Sequence, residues 1–351
     1  MSKKFDMMGF GEAMVRFNAP GHMRLEQSSS LQMAIAAAEL NCCVNISRLG
    51  LKTAYVTKLV DTWSGRYIVN HAREHGVDAS GVKLIPYDGC GREARNGLCF
   101  LEVGIGPRAS RQIYDRGNSA ISQVRPGDFD WEDLLKDTRW YHTTGITTAI
   151  SPLAADAAVE SLKAAKKLGV TTSIDLNFRS TLWTSEQAQA TMKKVMPYVD
   201  VLIGNEEDTE KMLGVKVEGV GNHYAEIDPE SYRAVAEKVM RTYPNVQAIG
   251  TTLREVKTAL LNDWRVVMLQ KDGYFVSRKY ENLEIFDRTG GGDSFASALI
   301  WGMLEGKDPR YIIDFAGAYS ALCHTFLGDW NWAYKEEAER VMQGESARVI
   351  R

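Results

Sequence analysis

From Val170 onward the chain alternates short apolar runs of β type with longer segments whose apolar residues recur at helical spacing, the pattern of βαβ units around a parallel sheet. The runs 170–176, 199–203 and 246–251 are predicted strands, and 185–196, 208–213 and 229–243 are predicted helices. The runs 258–261 and 266–269 follow one another with no helix between them, so they are expected to pair antiparallel near a sheet edge. Two further helices are predicted at 294–305 and 309–325. Earlier in the chain, 98–103 and 110–116 flank a turn through Gly104, Gly106 and Pro107, a β-hairpin pattern rich in polar and aromatic residues. With the segment 10–32, the stretch 98–121 is expected to form a small β-lid within a single domain spanning 1–351.

Composition narrows the ligand class. With 351 residues, 44% of them hydrophobic and 25% charged, the chain can bury a large core and falls outside the disordered, collagen-like and disulfide-scaffold classes. A net charge of −3 supplies no field for a polyanion, so a small-molecule ligand is expected and nucleic acid is not. The cysteines Cys42, Cys43, Cys90, Cys99 and Cys323 lack C-x-x-C spacing and read as reduced, mostly buried thiols. No apolar run approaches the roughly 20 residues that span a bilayer. Lys3 and Lys4 lead into Gly9-Phe-Gly-Glu12 rather than an apolar signal block, so a soluble cytoplasmic protein is expected.

The chemistry concentrates in Ile285-Phe-Asp-Arg-Thr-Gly-Gly-Gly-Asp-Ser-Phe-Ala, where a strand-like run meets three glycines and then a helix. Gly290, Gly291 and Gly292 let backbone come close to a ligand, and amides at a helix N-terminus hold phosphate oxygens. Asp293 follows at the start of the helix, where a carboxylate either caps backbone donors or takes a proton from a substrate hydroxyl. The Gly-Lys-Ser/Thr ending of a Walker A loop is absent. Asn205-Glu206-Glu207-Asp208 follows a predicted strand, at the end where open α/β sheets bind ligands; the same cluster would also serve as an acidic cap for the next helix.

Asp287, Thr289, the three glycines, Asp293 and the Ser-Phe-Ala helix together resemble the signature D-T-x-G-A-G-D of the phosphofructokinase-B, or ribokinase-like, carbohydrate kinases. The likeness runs nearly the length of the chain and is strongest toward the 2-keto-3-deoxygluconate kinases. It is carried by Ala38-Glu39-Leu40-Asn41 with Arg48-Leu49-Gly50, by Tyr114-Asp115-Arg116 with Ser119-Ala120-Ile121, and by Asp175-Leu-Asn177-Phe-Arg179 with Leu182-Trp183. Thr252-Leu-Arg-Glu255 and Gly328-Asp329 complete it. The resemblance implies an α/β, ribokinase-like three-layer fold: a mostly parallel central sheet flanked by helices, plus the small lid. It also implies ATP-dependent phosphorylation of a sugar-acid hydroxyl with ATP and Mg²⁺ as cofactors, Asp293 as general base, and Gly290, Gly291 and Gly292 as anion hole.

The implied sugar site comprises Ala36, Ala37, Asn41, Cys99, Tyr114, Arg116, Ile146, Arg179 and Asp329. The implied nucleotide site comprises Asn205, Thr251, Thr252, Arg254, Thr289, Gly292, Gly317 and Ala321, with Asn205 and Asp208 acting on magnesium through water. A planar guanidinium grips a carboxylate through two hydrogen bonds, so Arg179 and Arg116 favour an acidic sugar. Arg116 reads equally as an exposed charge on the lid, and Arg179 as the partner of Asp175. By analogy, pairing of lids would give a homo-oligomer. A kinase for fructose or 5-keto-2-deoxygluconate, or a catalytically weak sugar- or nucleotide-binding relative, stands as the alternative.

Some positions depart from the pattern. Ala36 and Ala37 stand where the family has Gly-Gly, and a positive φ or a close sugar there would be impeded by a methyl group. Cys99 occupies a position where tyrosine is common, and Gly291 replaces an alanine at small expected cost. The histidines His22, His71, His75, His142, His223 and His324 are expected to face solvent, and Trp330 and Trp332 carry no assigned role.

Overall fold

The computed structural model describes residues 3–205, 207–216 and 228–344; Glu206 and His223, both singled out in the sequence, lie outside the described residues. A ten-stranded sheet runs in the spatial order Gly273–Val276, Leu261–Gln270, Ala248–Thr258, Val201–Asn205, Thr171–Asp175, Thr138–Thr144, Phe5–Phe10, Thr53–Val60 and Val82–Ile85, with Tyr280–Glu284 also pairing to Leu261–Gln270. The pairings from Ala248–Thr258 through Val82–Ile85 are parallel. Leu261–Gln270 reverses direction and makes an antiparallel edge with its neighbours. The hairpin joining it to Ala248–Thr258 turns at Ala259 and Leu260, so those two residues leave the strand predicted for them.

Period-two alternation sets the layers. Val201, Ile203, Ala248, Val266 and Met268 join one core with the helices Ala38–Arg48, Gly291–Leu304 and Pro309–Cys323. Leu202, Ile174, Ile249 and Leu269 join the other, with Pro152–Lys167, Ser185–Val195 and Pro229–Thr242. Gly291–Leu304 is buried along almost its whole surface, which is why its sequence is apolar all round instead of amphipathic. It lies so close to the sheet that a Cβ on Gly250 would come within 2.6 Å of Leu299.

The small sheet has four strands in the order Gln32–Ala36, Met14–Asn18, Leu98–Glu102 and Arg111–Asp115. It extends to Ala36, beyond the predicted 10–32 segment, while Phe10 belongs to the central sheet. His142 and His324 are fully buried, against the expectation of solvent exposure, because each ring sits in a core of helix and sheet where its Nδ1 finds a partner: the Ser173 hydroxyl and the Ser320 carbonyl. Cys42, Cys43, Cys99 and Cys323 are buried and Cys90 is exposed. No helix among the described residues is long and apolar enough to cross a membrane.

Candidate active site

The carboxyl ends of the parallel strands deliver Glu12, Asp175, Asn205 and Thr252 to one side of the sheet, and the small sheet stands over them. Between the two lies a cleft of about 390 Å³. This is where open α/β sheets place ligands, because the strand ends and helix N-termini present unpaired polar groups together.

At the cleft floor the glycine run forms the first turn of Gly291–Leu304, a helix that begins earlier than the predicted 294. Gly290 caps it at φ 76°, and the Ser294 amide donates to the Gly290 carbonyl at 2.8 Å. The first amides of a helix have no partner inside it, so those of this turn are free to meet an anion. Each glycine has a separate reason. A Cβ on Gly290 would lie 2.1 Å from the Asp329 carbonyl oxygen, one on Gly291 would lie 2.6 Å from the His324 ring, and one on Gly292 would meet nothing, because that position opens into the cleft. The departure from alanine at Gly291 therefore has a cause: His324 occupies the space a methyl group would take.

Asp293 sits within this first turn with its Oδ2 accepting a hydrogen bond of 2.6 Å from Asn41 Nδ2. Burial pushes its carboxyl up to about 7; the Asn41 hydrogen bond opposes this, the Asp329 charge adds to it, and Arg179 offsets part of it. Such a group is poised between acid and base near neutrality. Glu39 is buried in the same wall and is likewise raised to about 7 by burial, although its Oε1 accepts the hydroxyls of Thr144 and Thr147 at 2.7 and 2.6 Å. Asp175 is also raised, by burial first and then by the charges of Asp208 and Asp293.

Cations divide between the two ends of the cleft. Arg179 donates to the Phe178 carbonyl at 3.0 Å and meets the Tyr114 hydroxyl. Its charge only steadies Asp175 at a distance, so the ion pair considered from the sequence does not form. Arg116 is buried, not an exposed charge: it lies 3.0 Å from Glu12 and stacks 4.1 Å over the Tyr114 ring. At the other end, Arg254 and Arg288 line the cleft beside the glycine turn. Loss of water around its head, together with the Arg254 charge, pushes Arg288 down to about 10, although the side chain as a whole is exposed.

The remaining predicted residues fall as follows. Gly290, Gly291, Gly292, Asp293, Ala36, Ala37, Asn41, Tyr114, Arg116, Ile146, Arg179, Asp329, Asn205, Asp208, Thr252, Arg254 and Thr289 line the cleft together. Ala36 lies in a strand and Ala37 is extended at φ −165°, so neither carries the left-handed backbone that would penalise alanine. Cys99, Thr251, Gly317 and Ala321 are buried outside the lining. Cys99 packs with Met14 and Ala36 behind the small-sheet side of the cleft, and Gly317 faces Ser277 and Val266 in the helix–sheet core.

Asn205 and Asp208 build a turn. Asn205 Oδ1 accepts the Glu207 and Asp208 amides, and the two Asp208 oxygens accept the Phe178 and Asn205 amides at 3.0 and 2.9 Å. No group of three metal-ligating side chains occurs among the described residues. This donor set fits an ion carried mainly by phosphate oxygens and water, the usual situation of Mg²⁺, and does not form a protein cage.

Sequence reasoning missed Arg16. It is fully buried in the small-sheet strand Met14–Asn18, where its guanidinium bonds Asp329 and lies 3.5 Å from Asp287. Asp287 in turn accepts the Thr289 amide and hydroxyl and the Gly328 amide, so Arg16 ties the small sheet to the loop that leads into the glycine turn. The available signal was an arginine set between Val15 and Phe17 in a short strand that starts with the apolar pair Met14 and Val15.

Comparison with known proteins agrees with this architecture. A 2-dehydro-3-deoxygalactonokinase from Haloferax volcanii is 29% identical over 99% of both chains. A 2-dehydro-3-deoxygluconokinase from Thermoproteus tenax is 31% identical over 92% of this chain and 89% of its own. The crystal structure of a 2-dehydro-3-deoxygluconokinase from Thermotoga maritima superposes with a TM-score of 0.90 at 40% identity, covering 97% of this chain and all of that one. The sequence profile of the pfkB family carbohydrate kinases matches residues 5–329, and with the glycine turn, the buried aspartate and the cleft in place, the chain belongs to that family of sugar kinases.

Proposed function

We propose that the protein transfers the γ-phosphoryl group of ATP to the terminal hydroxyl of 2-keto-3-deoxygluconate, with Asp293 as general base. The observation that carries this reading is the pairing, across one cleft, of a buried carboxyl beside free helix amides with a guanidinium, Arg179, that bonds no carboxylate among the described residues. A sugar acid bound with its carboxylate toward Arg179 and Tyr114 extends its far end toward Asp293. Asp293 takes the hydroxyl proton, the oxygen forms a bond to the γ-phosphorus, and the bond from that phosphorus to the ADP oxygen breaks. The amides of the glycine turn offset the charge that builds on the transferred group, and Arg254 and Arg288 hold the phosphate chain. When bound, Mg²⁺ neutralises phosphate charge; Asn205 and Asp208 would meet it through water. The small sheet acts as a lid that excludes water from the transfer.

The test is a coupled ADP-release assay over 2-keto-3-deoxygluconate, its C4 epimer 2-keto-3-deoxygalactonate, 5-keto-2-deoxygluconate and fructose, with wild type and Arg179→Ala. Selective loss on the sugar acids, by about tenfold or more in kcat/KM, is expected from a charge-assisted contact. An equal loss on fructose would refute the carboxylate assignment.

A further inference from the structure

We propose that Trp330 is a positioning residue for Asp293: its indole N–H holds the Asn41 carboxamide in the orientation that turns both amide hydrogens onto Asp293 and Asp329. The inference rests on Asp293 being the base. Trp330 Nε1 donates to Asn41 Oδ1 at 3.0 Å, and Asn41 Nδ2 donates to Asp293 Oδ2 at 2.6 Å and to Asp329 Oδ2 at 3.4 Å. A carboxamide has one acceptor and two donor positions on nearly the same outline, so an unanchored asparagine between two carboxyls can turn and lose one of its donated bonds. A donor fixed on its oxygen removes that freedom.

The anchor is itself held. The loop that carries Trp330 is stapled to the helix Ala38–Arg48 on which Asn41 sits: the Asn331 amide donates to Asn45 Oδ1 at 2.9 Å, and Arg48 Nε donates to the Asn331 carbonyl at 2.9 Å. Asn331 Nδ2 donates to the Tyr319 carbonyl at 2.6 Å. Outside, His75 packs edge-on to the Trp330 ring at 4.4 Å, with His71 at 6.4 Å. One short loop thus supplies both the carboxylate beside the base, Asp329, and the donor that aims Asn41. The Trp332 ring, two residues on, makes no hydrogen bond to Asn41; it stacks on Arg48 and meets the edge of His75.

The bond from Asn41 favours the ionised form of Asp293, the form that can accept a proton. Other groups also bear on Asp293: Glu39 and Cys42 from the Ala38–Arg48 helix, Asp175 and Arg179 from the end of Thr171–Asp175, Cys323 from Pro309–Cys323, and Asp329. The indole N–H donates to Asn41 and to none of these groups, so Trp330→Phe removes the donor on the Asn41 oxygen and leaves their side chains unaltered.

The experiment is the pH dependence of kcat from pH 5.5 to 9 for wild type, Trp330→Phe, Trp332→Phe and Trp330→His, with Trp330→Phe repeated in an Asn41→Ala background. Trp330→Phe should move the acid limb up by about 0.7 pH unit and lower kcat about fivefold at pH 6, the worth of one neutral hydrogen bond. The loss should fade toward pH 9, and the KM for ATP should hold. Trp332→Phe should superimpose on wild type. Trp330→His, which keeps a ring N–H, should shift the limb less, and in the Asn41→Ala background the Phe change should add nothing. A profile that superimposes on wild type, a fall of equal size at every pH, or a full additional effect without Asn41 overturns the proposal. Near-normal turnover in Asp293→Asn would instead remove the base assignment, so the two failures are told apart.

Discussion

Replacing Asp293 by Asn tests whether the site keeps its base at a cost to the fold. Asparagine retains the shape and an oxygen that can accept the Asn41 N–H, but it cannot take a proton. The native carboxyl titrates at about 7, against an ordinary aspartate value of 3.8. Because its folded value is raised, the native state holds a proton that the unfolded chain has already released, and stability falls as pH climbs from about 4 to about 7. The whole span is about three pH units, or about 4 kcal/mol; between pH 5 and pH 8 the loss is about two units, or about 3 kcal/mol. Asp293→Asn escapes that loss. Its stability relative to wild type, measured by urea unfolding, should rise by about 3 kcal/mol on going from pH 5 to pH 8, while kcat falls by about a thousandfold or more. In wild type, kcat/KM should rise through pH 7 as the free base ionises. A relative stability that does not change with pH would refute the burdened carboxylate, and a preserved kcat would refute its role in proton transfer.

Three further outcomes follow from the same geometry. Gly292→Ala places a methyl where nothing of the protein stands, so melting should show stability equal to wild type or up to about 1 kcal/mol higher, as for glycine in a helix. The kcat of this variant should drop by about a hundredfold, the scale of a lost anion-hole contact; unchanged turnover would mean that the phosphoryl group does not pass there. Arg16→Met strands Asp287 and Asp329 without their cation and should cost about 3–5 kcal/mol at pH 8. The cost should be less at pH 5, because burial raises the Asp329 carboxyl and loss of the Arg16 charge lets it protonate more readily, and denaturant curves at the two pH values check the difference. Arg288→Gln should raise the KM for ATP about tenfold with the KM for sugar unchanged, read from initial rates with each substrate varied in turn.

Local regularities were legible in the sequence because each belongs to a short stretch. The strand–helix alternation after Val170, the hairpin at 98–116 and the glycine run before an apolar helix all depend on neighbours a few residues apart, and each appears in the structure. Element ends were less legible: the helix predicted from 294 begins at Gly291, since Gly290 can take the left-handed conformation that starts the turn early. What the sequence hid is what only the fold brings together. Arg16 reads as an ordinary strand charge until Asp287 and Asp329, some 270 to 310 positions away, close around it. Glu39 looks like a helix-opening acid, yet the Thr144 and Thr147 hydroxyls and the lack of a side chain on Gly11 make room for it inside the wall. His324 and Gly291 explain each other only as a pair. For Arg16 and Glu39 a polar group is buried at a cost that only distant partners offset, whereas His324 finds its partner four residues away at Ser320 and needs only the space that Gly291 leaves. A site that raises a carboxyl's proton affinity well above its ordinary value has to exclude water, and excluding water obliges buried charges nearby, such as Arg16 and Glu39, to find partners across the chain.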